Sequence, residues 1–187
     1  MTTIRKEMTK DIAAREDLID RAFGEARLTK AAERLREGRL PAYALSFVAS
    51  TKTRVVGTVR LWHVTAGPAR PALLLGPLAV DDASRGLGIG AALMRRAIEA
   101  ARQLGHKAVV LVGDPSYYAR FGFSAEKTGA LWMPGPYERE RLLALELVPG
   151  ALDGARGLIN ATGEKALVSD LATLIAGLSR SDAARAA

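Results

Sequence analysis

The sequence predicts an α/β fold, in the α+β sense: a central mixed, mostly antiparallel sheet, helices on both faces and one more helix at the C-terminus. Three observations predict it. Period-two alternation in "YALSFVAS" and "RVVGTVRLWHV", with the polar turn "STKT" between them, marks an antiparallel hairpin. The runs "ALLLGPLAV" and "KAVVLVGD" are apolar on both alternations, as strands covered on both faces must be. A long amphipathic pattern separates these two runs, and such a strand–helix–strand crossover sets its strands parallel.

The elements follow in order. "TIRKEM" alternates and reads as a short strand. Thr9 or Asp11 then caps a helix running to about Phe23, with Ile12, Leu18, Ile19 and Ala22 on one side. "TKAAERLREG" is a second helix, stopped by Gly38. After the hairpin, "AGPARP" turns the chain into the run at 72–80, where Gly76-Pro77 is an anomaly, because proline removes a ladder donor. Either a β-bulge accommodates it or the strand ends there. Ile89, Leu93, Ala97, Ala101 and Leu104, widened by Met94 and Ile98, recur at helical spacing, and Gly105 stops that helix. The strand at 107–114 is expected to pair in parallel with 72–80. "PSYYARFGF" is a short helix ending at Gly122, and "RLLALELV" is a late strand. From Gly163 onward, "GEKALVSDLATLIAGL" reads as one helix with the apolar stripe Leu167, Leu171, Leu174, Ile175 and Leu178. The main domain is expected at 1–150 and a C-terminal extension at 151–187. The stripe needs cover, either from its own domain or from a second subunit of a homodimer.

Composition bounds the function. At 187 residues, 49% of them hydrophobic and 25% charged, the chain can bury a well-filled core. No apolar run reaches the roughly 20 residues of a membrane span, and "MTTIRKEMTKDIAARED" has no apolar signal segment, so a cytoplasmic location is expected. Cysteine is absent, which removes disulfides, thiolate metal sites and a cysteine nucleophile. His63 and His106 stand at no metal spacing, so no metal is expected. The net charge of +7 suits an anionic ligand as well as solubility. The cations of "ERLREGR" and "MRRAIEAAR" are interleaved with acids and aromatics are only 5%, so nucleic acid is not the expected partner.

The chemistry concentrates in "AVDDASRGLGIGAALMRRAIEAA" at 79–101, where Gly86, Gly88 and Gly90 alternate between a strand and a helix. Three readings compete. Gly86-x-Gly88-x-x-Ala91 fits a dinucleotide fingerprint, but that motif follows its strand directly and opens a βαβ unit, whereas "DDASR" intervenes here. Glycines at a helix entry also let the helix pack closely on the sheet, with no ligand involved. Third, the unpaired N–H groups of a helix start, with the helix dipole behind them and no side chains in the way, form a cradle for a pyrophosphate. Arg85 would add charge to it or brace the loop.

These residues carry a resemblance. Arg85-x-x-Gly88-x-Gly90 is similar to the [QR]-x-x-G-x-[GA] motif of the GNAT superfamily of acetyl-CoA-dependent N-acetyltransferases. The run "VDDASRGLGIG" resembles the family's V-x-P-x-[aromatic]-R-G-x-G-x-G, with Asp82 at the proline position and Ser84 at the aromatic one. Tyr118-Ala119-Arg120-Phe121-Gly122-Phe123 resembles the Y-x-x-x-G-F that ends the family's fourth helix. The likeness spans about residues 4–148, element order included. One departure stands out: many members carry an asparagine about seven residues before that tyrosine, and this chain has none there.

The resemblance implies a GNAT fold whose parallel strand pair splays apart. It implies acetyl-CoA as co-substrate, with the pantetheine running along the backbones of Leu78, Ala79 and Val80 and the pyrophosphate on Arg85, Gly86, Leu87, Gly88, Ile89, Gly90 and Ala91. The implied reaction is transfer of acetyl to a primary amine, and without cysteine, direct transfer in a ternary complex is the expected route. Tyr118 is the implied general acid, with Tyr117 as a packing residue. His63, Asp81 and Asp82 are candidate bases, none of them assigned. Helices one and two and the loop "TGALWMPGPYERER", which holds Trp132 and Tyr137, are expected to select the acceptor. A non-catalytic acyl-CoA-binding module and a nicotinamide-binding Rossmann protein are the rival readings.

Overall fold

The computed structural model describes residues 2–52 and 54–166, apart from the side chains of Glu25 and Ala26. Eight strands form the sheet among these residues: β1 (Thr3–Lys6), β2 (Ser46–Ser50), β3 (Val55–Ala66), β4 (Pro71–Val80), β5 (Ala108–Val112), β6 (Leu131–Trp132), β7 (Leu142–Glu146) and β8 (Gly157–Ala161). The helices are α1 (Ile12–Phe23), α2 (Ala31–Arg34), α3 (Ile89–Gln103) and α4 (Pro115–Tyr118). The strand order is β1-β2-β3-β4-β5-β7, antiparallel except for β4 and β5. β8 continues the β2 edge of β3 at Val64, Thr65 and Ala66 and pairs in parallel with β6. No helix among the described residues is long and apolar enough to cross a membrane.

Both faces of the sheet are covered, and the doubly apolar runs explain it. Leu73 and Leu75 of β4 join Val109 and Leu111 of β5 on the face that α3 covers, together with Leu93, Met94 and Ala97. Ala72, Leu74, Ala108 and Val110 point the other way, toward Leu35, Met133, Leu152 and Ile159. α1 packs Leu18 and Ile19 on that second face against Val48, Val55 and Ala79. Close approach of α3 rests on Gly57 of β3, where an added Cβ would lie 3.0 Å from both Ile89 and Leu93.

Gly76-Pro77 makes a bulge and does not end the strand. On β3 one residue, Arg60, separates Val59 from Leu61; their partners on β4 are Leu78 and Leu75, so two residues oppose one. The Gly76–Pro77 peptide bond is cis. Trp62 Nε1 donates to the Gly76 carbonyl at 2.6 Å, which satisfies an acceptor that the bulge removes from the ladder.

Some elements differ from the sequence expectation. Asp11 does not cap α1: its carboxylate accepts from Arg5 at 2.6 and 2.8 Å and from the Met8 N–H at 2.8 Å, because a 3₁₀ turn at Thr9–Asp11 precedes the helix. α2 is shorter than "TKAAERLREG" and passes into turns before Gly38. The helix expected from Gly163 does not begin there. Leu40 N–H donates to the Glu164 carbonyl at 2.8 Å and Ala166 N–H to the Gly38 carbonyl at 3.0 Å, so sheet-like bonds hold this chain extended, with Lys165 bridging Arg39. Leu167, Leu171, Leu174, Ile175 and Leu178 lie outside the described residues. β6 and β8 had no counterpart in the sequence reading.

Candidate active site

β4 and β5 pair only at Leu73–Val109 and Leu74–Val110. Beyond them the strands diverge, and the β5-facing edge of residues 75–80 has no ladder partner among the described residues. The divergence opens into a cavity of about 890 Å³, walled by Pro77 and Leu78 on β4, by Gly113, Tyr117 and Tyr118 after β5, and by α1, α2 and the loop around Tyr137. The bulge and the splay thus occupy the same stretch of β4. Leu78 and Val80 lean on the α3-side core, while Ala79 is buried against α1.

The glycine loop follows Arg85, which stands on the cavity wall. Gly86 and Gly88 have φ of +80° and +75°, a left-handed conformation that residues with a Cβ rarely adopt. A Cβ built on either meets nothing within 4 Å. Close helix packing is therefore not what requires these two glycines; they leave open space at the start of α3. Gly88 is the N-cap of α3, so the N–H groups that follow it, on Ile89, Gly90 and Ala91, have no intrahelical acceptors. Buried Ile89 anchors the loop while Leu87 stays 71% exposed. Arg85 pairs with Asp82 at 2.8 Å and lines the cavity. Gly90 differs from its neighbours: a Cβ there would stand 2.9 Å from the Tyr117 hydroxyl, which reaches the first turn of α3.

α4 presents the two tyrosines. Asp114 caps it by accepting from Ser116 N–H at 2.7 Å and Tyr117 N–H at 3.2 Å, with Pro115 at the first helical position. The Ser116 hydroxyl and these N–H groups hold the Asp114 carboxyl below the usual carboxylate range. Tyr118 stacks edge-on to Tyr117 at 5.0 Å and to Phe123 at 6.0 Å, and its ring packs against Gly113. Burial, aided by the neighbouring Tyr117, pushes the Tyr118 phenol up to about 12. Tyr117 is also raised by burial, against the pull of Arg120, whose guanidinium lies 4.7 Å from its ring. Both tyrosines line the cavity.

The candidate bases stand elsewhere. Asp81 pairs with Arg54 at 3.1 Å, Asp82 with Arg85, and His63 lies 5.4 Å from the His106 ring; none of the three lines the cavity. In the late loop, Tyr137 lines the cavity and donates to the Leu131 carbonyl at 3.2 Å, while Trp132 is 50% exposed beneath Arg139. The residues missed from the sequence are charged ones: Arg27, Lys30, Glu33 and Arg36 all face the cavity from the α1–α2 side. In "ERLREG" the i,i+3 pair of Glu33 and Arg36, 2.9 Å apart, has the pattern of a solvated helix face.

Residues 12–123 match the model of the acetyltransferase (GNAT) family. The chain belongs to the GNAT family. It is therefore an acetyltransferase, and the Rossmann reading is closed: among the described residues, parallel pairing is confined to β4–β5 and β6–β8. This GNAT chain is 30% identical over 158 residues to an N-acetyltransferase of Escherichia coli strain K12 named YhbS, described as uncharacterized, covering 83% of this chain and 93% of that protein. A crystal structure of YhbS in complex with CoA matches with a TM-score of 0.72 at 30% identity, over 86% of this chain and 89% of that one. A GNAT family acetyltransferase from Brucella melitensis, in complex with acetyl-CoA, matches with a TM-score of 0.64 at 28% identity, over 87% and 96% of the two chains.

Proposed function

We propose that this enzyme transfers the acetyl group of acetyl-CoA to a primary amine by direct attack in a ternary complex. The observation that carries the reading is the unpaired edge of β4 opening into the cavity, with Arg85, at the start of the glycine loop, and Tyr118 on its wall. The residues fit the co-substrate. The space beside Gly86 and Gly88 takes a pyrophosphate against the free N–H groups of α3, and Arg85 adds charge. The free backbone groups of Leu78, Ala79 and Val80 offer pantetheine amides a strand-like partner. The CoA and acetyl-CoA bound to the two crystallised relatives are consistent with this assignment.

The residues then divide the work. The amine must arrive neutral to attack. Its nitrogen attacks the thioester carbon, the carbonyl becomes an oxyanion, and on its collapse the carbon–sulfur bond breaks. The Tyr118 phenol, neutral at any ordinary pH, donates its proton to the departing thiolate. The proton released from the new amide nitrogen returns the phenol to its starting state. The donation counts most as charge reaches sulfur, so it acts on the transition state and not on binding. The test is thiol release from acetyl-CoA against a panel of amines, with calorimetric titration of acetyl-CoA alongside. Binding without turnover on any amine would favour the non-catalytic acyl-CoA-binding module.

A further inference from the structure

The acceptor side of the cavity is cationic in a way that acetyl transfer does not use. Arg36 lines the cavity with its side chain nine-tenths buried, 10% exposed. It is ion-paired with Glu33, through Nη2 at 2.9 Å. Its Nε is buried and has no hydrogen-bond partner among the described residues. A buried donor without a partner costs on the order of 1–3 kcal/mol, more when charged, and a guanidinium so placed is suited to an anion arriving from the cavity. Burial pulls Arg36 below the ordinary guanidinium value, with Glu33 opposing. The neighbouring cations do not relieve it. Arg27 adds repulsion and is itself paired with Asp20 and Glu16, and Glu16 attracts Arg36 more weakly than Glu33 does. Glu138 faces Arg141 at 3.4 Å. Lys30 lies over the Phe23 ring.

Position says what the anion belongs to. Arg36 Nη1 is 3.5 Å from where a Cβ on Gly76 would stand, so the guanidinium sits at the β4 bulge, where the strand edge becomes free. The glycine loop that suits the phosphates lies past the far end of β4, and the pantetheine arm and thioester are neutral, so no anion of the co-substrate falls here. Granted the acetyl-transfer reading, we infer that the acceptor is a small amine carrying a carboxylate or phosphate a few bonds from its nitrogen, and that the Arg36 guanidinium binds that anion. The anion near the bulge would leave the amine directed along the splayed edge toward Tyr118.

The test uses the full chain saturated with CoA. The Arg36 Nε–H resonance is followed by NMR, identified by its loss in Arg36→Lys, while glycine, β-alanine, O-phosphoethanolamine and neutral ethanolamine are titrated. The resonance is expected to shift saturably with glycine or β-alanine if the anion is a carboxylate, with O-phosphoethanolamine if it is a phosphate, and not with ethanolamine. In parallel, thiol release from acetyl-CoA is measured with the same amines. Wild type should favour the anionic amine over ethanolamine at least tenfold in kcat/KM, and Arg36→Gln should abolish that preference through KM with acetyl-CoA affinity unchanged. An Nε–H that none of the anionic amines moves, or a preference that survives Arg36→Gln, makes Arg36 a brace for α2 and overturns the inference. A shifting Nε–H with no turnover on any amine leaves the anion site standing and removes the acetyl-transfer reading instead.

Discussion

Gly113→Ala adds one methyl group, and its consequence follows from the ring beside it. The new Cβ would overlap Tyr118 Cε2 and stand 2.8 Å from Cδ2 and 3.1 Å from Cζ. Contacts become ordinary at 3.4 Å, so the ring must move, and clearing the overlapped atom takes a shift on the order of 1 Å. The ring cannot simply slide inward, since Phe123 and Tyr117 stand edge-on to it at 6.0 and 5.0 Å. Gly113 has no positive φ, and its N–H donates to the Arg141 carbonyl at 2.9 Å, so alanine suits the backbone and the strain falls on the phenol. Overpacking of this kind costs about 1–3 kcal/mol of stability. A reacting group displaced by about 1 Å costs roughly 10²-fold in rate. Gly113→Ala should therefore remain folded and keep most acetyl-CoA affinity, yet lose about 10²-fold in kcat, measured by thiol release with a saturating amine. A folded variant that turns over at the wild-type rate would refute the assignment of Tyr118 and the geometry behind it.

Tyr118→Phe should lower kcat by roughly 10²-fold with little change in acetyl-CoA affinity, while Tyr117→Phe should cost much less; stopped-time thiol assays on both decide it. Because the Tyr118 phenol stays protonated to about 12 in the fold, against 10.0 for an unperturbed tyrosine, the unfolded chain ionises first as pH rises. Its contribution to stability should be complete below pH 10 and lost as pH climbs toward 12, an excess loss that Tyr118→Phe removes in thermal melts. Gly88→Val and Gly105→Val share a left-handed φ, +75° and +78°, with nothing within 4 Å of the added Cβ. Both should lower the melting temperature to a similar degree, but only Gly88→Val should weaken acetyl-CoA binding by more than tenfold, about 1.4 kcal/mol in calorimetry. Truncation after Gly163 removes the Arg39–Lys165 bridge and the apolar stripe together, and should lower the melting temperature or change the mass in solution measured by light scattering.

Local signals carried the fold a long way and the site only part of the way. The doubly apolar runs at 72–80 and 107–114 and the helix between them were legible because every buried position there is apolar in sequence as well as in space. The bulge was legible as a conflict, a proline inside a central strand. β8 was not: "GLINA" is short, contains Gly157 and Asn160, and becomes a strand by pairing with β3, a partner about 90 residues earlier. Residues 163–166 were misread because helical spacing further along the chain was extended back over backbone that Gly38 and Leu40 engage. In the site, Gly88 and Tyr118 belong to motifs whose residue types the chemistry dictates. Arg36 belongs to none. Its spacing from Glu33 is that of an exposed ion pair, and it is buried only in the folded chain, where the turn after α2 sets its guanidinium beside the β4 bulge.

The two-for-one pairing at Gly76 and Pro77 also sets a phase. Before it, odd-numbered residues of β4, Leu73 and Leu75, face α3; after it, even-numbered ones do, Leu78 and Val80. The strand is thus read in two frames, joined by a single-residue insertion. Deleting either Gly76 or Pro77 would not merely shorten the strand. It would leave one residue opposite Arg60, so Leu78 and Val80 would still face α3 and Ala79 would still face α1, but the bulge itself would close. The frame fails only if residues 76 and 77 both enter the ladder with β3, which would turn Leu78 and Val80 toward α1 and Ala79 toward α3.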